Sequence, residues 1–212
     1  MTNTRQLLAA ATLVVAGLTG PSVIGAQTTV HTSLASFLAS TQGPLYTETF
    51  PFVPSAPSFS FSSLGFGYTV TTGGGNVYRG SLLGTFIGNS TANRSLLFTF
   101  TTGNVTAVGG NFFLTGTTDN LLTGNISISL SDGTLASFTG SSVSDFRGFT
   151  TTGAVITSLT LAAPSGSLFN SADNIVVGLA SASVVPEPST YLLVGVGLTA
   201  LLGVARRRNR VG

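Results

Sequence analysis

The chain has 212 residues, enough for one ordinary domain with short additions, and only 7% of them are charged against a typical share of about 25%. Cysteine is absent, which excludes a disulfide framework, a thiolate nucleophile, a zinc ribbon and an iron–sulfur centre, and the one histidine, His31, cannot build a histidine-rich metal site. The pI of 9.5 is an effect of the ends: between residues 27 and 185 only Arg79, Arg94 and Arg147 stand against Glu48, Asp119, Asp132, Asp145 and Asp173, so the body has no basic stripe for nucleic acid.

Residues 1–26 read as a secretory signal. Arg5 supplies the positive start, Leu7 to Leu18 is a 12-residue apolar run, Gly20-Pro21 breaks it, and Gly25-Ala26 offers small residues for cleavage. Residues 27–44 read as a short helix and lead-in. Ser33 is placed to cap a turn in which Leu34, Phe37 and Leu38 share a face. From residue 45 to 184 the spacing predicts a single antiparallel β-sandwich, jelly-roll-like, because turn residues recur every 8–12 positions between short β-branched or aromatic runs.

Within that domain, Thr49 to Gly67 reads as a long loop or irregular edge, because Pro51, Pro54 and Pro57 interrupt it. Strands follow at Ser95–Thr101 and Val105–Leu114, the latter with a bulge or bend expected at Gly109-Gly110. Asn125–Leu130 alternates cleanly and enters a hairpin through Ser131-Asp132-Gly133-Thr134, with Ala136 and Phe138 facing away from Leu135, Ser137 and Thr139 on the returning strand. Ala154–Leu161 and Asn174–Ala180 are the last strands expected. All 15 phenylalanines lie between residues 37 and 169, which predicts a Phe-rich core. The 159 residues from 27 to 185 hold 26 Thr and 24 Ser, so the exposed faces are hydroxylated rather than charged.

The C-terminus carries the most specific pattern. Pro186-Glu187-Pro188 precedes an apolar run from Tyr191 to Ala205, and Arg206, Arg207, Arg208 and Arg210 follow it. Residues 189–205 make 17 positions, about 25 Å as a helix, the short end of a transmembrane span, and the arginines place the last residues in the cytoplasm. This order resembles the PEP-CTERM sorting tail. The resemblance covers residues 185–210 and implies processing by a membrane-embedded exosortase, with Pro186, Glu187 and Pro188 as recognition residues and Arg206, Arg207, Arg208 and Arg210 as the stop signal. It also implies a bacterial cell-surface or extracellular destination, associated with exopolysaccharide or biofilm, after anchoring in the inner membrane.

Catalytic constellations are weak. His31 lies near the expected cleavage point, where a surface histidine beside a mobile terminus is the ordinary expectation, and no nucleophile elbow accompanies it. The five body acids permit a pair for glycoside hydrolysis only arithmetically, since Asp132 and Asp119 read as turn residues. A sharper possibility is calcium. Glu48 near the start and Asp173-Asn174 before the final strand are similar to carbohydrate-binding-type jelly rolls that pair their first and last strands, some of which hold a calcium there. The ordinary reading of Asp173-Asn174 is an Asx turn before the strand. The sequence thus reads as a non-enzymatic exported protein with no cofactor required; the alternative is a carbohydrate- or calcium-binding jelly-roll module.

Overall fold

Alternation with a period of two runs through the body, and the chain folds into strands accordingly. In the computed structural model the described residues are 27–51, 54–81 and 84–182, together with Val194, Gly195 and Leu198, which are helical. The signal segment 1–26, the sorting residues Pro186, Glu187 and Pro188, most of 189–205 and the arginines Arg206, Arg207, Arg208 and Arg210 lie outside the described residues. Among the described residues no helix is long and apolar enough to cross a membrane. Residues 24–184 form a unit of their own, and its elements are as follows.

In chain order they are β1 (Gln27–His31), α1 (Leu34–Leu38), β2 (Thr41–Glu48), β3 (Ser58–Ser63), β4 (Phe66–Thr72), β5 (Val77–Gly80), β6 (Phe86–Asn89), β7 (Leu96–Phe100), β8 (Ala107–Thr115), β9 (Leu121–Leu122), β10 (Gly124–Leu130), β11 (Leu135–Gly140), β12 (Phe146–Thr152), β13 (Ser158–Leu161) and β14 (Phe169–Ala180). All pairings between strands are antiparallel. An eight-stranded sheet runs β1-β12-β8-β14-β6-β5, with β2 also on β14 and β9 also on β8. A six-stranded sheet runs β11-β10-β13-β7-β4-β3. The two sheets enclose one core, to which the larger contributes Ile87, Val108, Phe112, Leu114, Phe149, Ile175 and Val177, and the smaller Tyr68, Val70, Phe98, Ile126, Ile128, Leu159 and Leu161. That is the β-sandwich the spacing predicts.

A second, smaller core lies on the outer face of the larger sheet. Ser33 caps α1 by accepting from the Ser36 N–H. The helix presses Phe37 onto Phe146, Val176 and Ala107. Glycine is required beneath it: a Cβ on Gly148 would stand 2.5 Å from the Phe37 ring, and one on Gly109, its partner across the ladder, 2.7 Å from Phe146. At the β1–β12 edge the two sheets are joined by side chains. Thr28 donates to the Asp132 carboxylate in the β10–β11 turn, and the Arg147 guanidinium lies 3.8 Å from the centre of the Phe138 ring.

The structure corrects three expectations. Among the described residues strand structure begins at Gln27, not at residue 45, because β1 pairs along β12 and β2 pairs along β14. The stretch Thr49–Gly67 is an edge rather than one long loop, and a regular one: Ser58–Ser63 is the outermost strand of its sheet, turned into β4 by Leu64 and Gly65, both at positive φ. The alternation Ser58-Phe59-Ser60-Phe61-Ser62 places both rings against the core, and the prolines all precede it. Finally, the extra residue expected at Gly109-Gly110 sits on the partner strand. Asp173 pairs with Asn111 and Val176 with Gly109, so β14 carries the bulge, with Asn174 at φ 51. Gly110 opposite it has no side chain, and the Ile175 methyl occupies that space.

Candidate functional site

The bulge decides the fate of the expected calcium set. Glu48 pairs with Ile175 and shares the inner face with Tyr46. Both its carboxylate oxygens are in use: Tyr46 Oη donates to Oε2 at 2.5 Å and the Phe50 N–H to Oε1 at 2.9 Å. The second bond holds Phe50, a bulky residue at φ 50, in a backbone conformation that would otherwise be strained, and Phe50 buries its ring against Phe61. Asp173, in register with Asn111, points to the outer face. In a regular strand Asp173 would share the face of Ile175 and hence of Glu48; the extra residue at Asn174 reverses that parity. The Asp173 carboxylate accepts instead from the Asn174 backbone N–H at 2.7 Å and its amide at 2.9 Å, and burial raises its pKa. The last strand thus pairs with the second, β2, while the first, β1, lies on β12, and Glu48 is not brought together with Asp173 and Asn174. Among the described residues no group of three or more His, Asp or Glu side chains is gathered to hold a metal.

The remaining acids are likewise held by their own neighbours. Asp145 accepts from the N–H groups of Ser141 and Ser142. Partial burial pushes Asp132 upward, but bonds from the Thr28 hydroxyl and the Thr134 N–H outweigh it and lower its pKa. His31 is no surface residue: it is 7% exposed, its Nε2 lies 2.9 Å from Thr150 Oγ1, and its ring meets Phe37 edge-on at 5.9 Å. The pairing of β1 with β12 carries it inward. Burial lowers its pKa from the ordinary 6.5. The unfolded chain therefore binds that proton more readily, and stability declines as the pH falls below 6.5. Thermal melting should be flat above that pH and drop below it, with His31→Gln removing this limb before the carboxylates titrate.

The six-stranded sheet offers a different surface. None of its strands contains an Asp, Glu, Lys or Arg. With Tyr68, Phe98, Leu159 and Ile128 turned inward, the outward positions apart from Gly67, Leu97 and Leu135 are Ser, Thr and Asn in register across the ladder. One row reads Ser60, Thr69, Thr99, Ser158 and another Ser58, Thr71, Leu97, Thr160, Ser129, Leu135. Hydroxyls bond laterally, Ser60 to Thr69 at 3.1 Å and Ser127 to Ser137 at 2.9 Å. Leu135, 77% exposed, is an apolar point at the margin. The period-two alternation foretold hydroxylated faces, but not that they would fall together on one sheet without a charge.

Comparison with known proteins adds two findings. No curated protein matches the chain. The solved structure of CsCBM6-3 from Clostridium stercorarium in complex with cellobiose is similar at 20% identity over 51% of this chain and 86% of that chain, with a TM-score of 0.31. Residues 184–209 match the model of the PEP-CTERM protein-sorting motif, so the chain carries at its C-terminal end the signal for exosortase-dependent export.

Proposed function

We propose that this is a non-catalytic protein of the bacterial cell surface or extracellular matrix, in which the sorting tail delivers the β-sandwich and the six-stranded sheet meets exopolysaccharide or biofilm matrix. The observation that carries the reading is the outward face of that sheet, a field of in-register hydroxyls with no charged residue in its strands. Such a face donates and accepts hydrogen bonds without regard to the sign of its partner, and salt does not screen it. It suits a hydrated polymer whose own surface is hydroxyl groups. In this reading Pro186, Glu187 and Pro188 are what the exosortase recognises, residues 189–205 hold the precursor in the inner membrane, and Arg206, Arg207, Arg208 and Arg210 stop transfer.

Fractionation of bacteria that possess an exosortase tests both halves. The body is expected in the extracellular matrix fraction, and washing between about 0.01 and about 1 M salt, where the Debye length falls from ~30 to ~3 Å, should not release it. The triple variant Pro186→Ala, Glu187→Ala, Pro188→Ala should remain with the membrane. Recovery of the native body in the periplasm, or its release by salt, would overturn the proposal.

A further inference from the structure

The larger sheet holds a cleft that the reading above does not use. It has a volume of about 270 Å³ and is lined by Tyr78, Asn89, Ser90, Thr117, Asp119 and Phe169, with Thr115 and Gly116 beneath. Tyr78 stands on the edge strand β5, Phe169 opens β14, and Asp119 sits at φ 58 in the turn between β8 and β9. Tyr78 Oη donates to Asp119 Oδ2 at 2.5 Å, which fastens the edge strand to that turn across the two intervening strands. The ladder row between them carries Gly88 and Ser171. A Cβ on Gly88 would approach the Asn170 carbonyl oxygen to 2.7 Å, so the floor stays bare.

The one charged group of the cleft has an acceptor to spare, among the hydroxyls of Ser90 and Thr117. Asn89 contributes only its backbone side: paired with Val77, it turns its side chain to the inner face, where the amide donates to the Ser95 carbonyl at 2.9 Å. Asp119 uses only Oδ2 for Tyr78. Burial, with the Asp119 bond, raises the Tyr78 pKa to about 12, so the phenol keeps its proton and its hold on Asp119. Two aromatic side chains supply apolar surface, and among the described lining residues Asp119 alone is charged. An anion is repelled by that carboxylate, and a purely apolar ligand would desolvate its free oxygen without a hydrogen bond. A pyranose ring brings hydroxyl donors at its rim and C–H groups on its face. The volume falls just under the roughly 300–1,000 Å³ of small-molecule sites, room for one sugar ring.

We propose that the cleft between Tyr78, Asp119 and Phe169 binds a neutral sugar, as a monosaccharide or as the terminal residue of a glycan. Because it lies on the larger sheet, its failure and the failure of the hydroxyl-face reading are separate results.

The test is isothermal titration of the full-length chain with methyl β-glycosides of glucose, galactose, mannose, xylose and N-acetylglucosamine. At least one should bind saturably, with a Kd of roughly 1 mM or tighter. Asp119→Asn and Phe169→Ser should each weaken it by about tenfold or more, the first through a lost charge-assisted hydrogen bond and the second through lost apolar contact with the ring face. Ser137→Ala, on the other sheet, should bind like the native chain. Native-like melting of either cleft variant suffices for the comparison. Absence of saturable binding by all five sugars, or binding that survives whichever cleft variant folds, would overturn the proposal.

Discussion

Replacing Phe98 with alanine is expected to lower stability by about 3–5 kcal/mol, on the order of 10 °C in melting temperature for a domain of this size. Phe98 is 1% exposed at the middle of the six-stranded sheet, flanked in register by Val70 on β4 and Leu159 on β13. Its ring lies 6.0 Å from that of Tyr68, which in turn stacks near Phe61, Phe100 and Tyr46. Neighbours set on rigid strands cannot collapse into the space, so the variant loses both the transfer free energy and the contacts of its surroundings. Domains of this kind are stable by only about 5–15 kcal/mol, so one substitution removes a large share. Chemical denaturation followed by circular dichroism measures it. A loss below about 1 kcal/mol would mean that the aromatic cluster is not the centre of the core.

The second large effect is expected at a residue with no side chain. Gly148→Ala should destabilise by about 1–3 kcal/mol, because the new methyl would meet the Phe37 ring at 2.5 Å and the Phe146 ring at 2.9 Å. Phe37 is the residue by which α1 grips the sheet, so it is the group displaced. The mechanism gives a sharper expectation. Phe37→Ala removes the obstacle, so the double variant should be less destabilised than the two single losses added together. Additive losses would show that Gly148 matters for its backbone and not for the ring above it.

What the sequence discloses about this fold depends on how locally each feature is determined. The β10–β11 hairpin was legible because Asp132-Gly133 has only one convenient use between two alternating runs, and Gly133 indeed has φ 87. Ile126, Ile128, Leu159 and Leu161 fall inward for the same reason. The strand Ser58–Ser63 is written just as plainly, but the prolines ahead of it disguise a regular edge strand as a loop or an irregular edge. The misplaced bulge is subtler. Two glycines mid-strand announce that something comes close, yet they do not say whether their own strand gains the extra residue or its neighbour does. Here the neighbour does, at Asn174, and that shift of one residue parts Asp173 from Glu48. The cleft was beyond reach for another reason: Tyr78 and Asp119 are 41 residues apart and meet only through the order of strands in the sheet.

That order has a consequence for how the protein is made. β14 is interior to the larger sheet, with β8 along one side and β6 and then β2 along the other. Twelve residues from 169 to 180 supply it, a few positions before the sorting motif begins at 184. Until they arrive, β6 and β2 have nothing to join them to β8, and a nascent chain lacks the centre of its larger layer. Contacts spanning such long stretches of sequence form slowly. A chain emerging from its N-terminus can therefore complete its smaller sheet by Leu161 but cannot close the larger one until residue 180 has emerged, only a few positions ahead of the sorting motif.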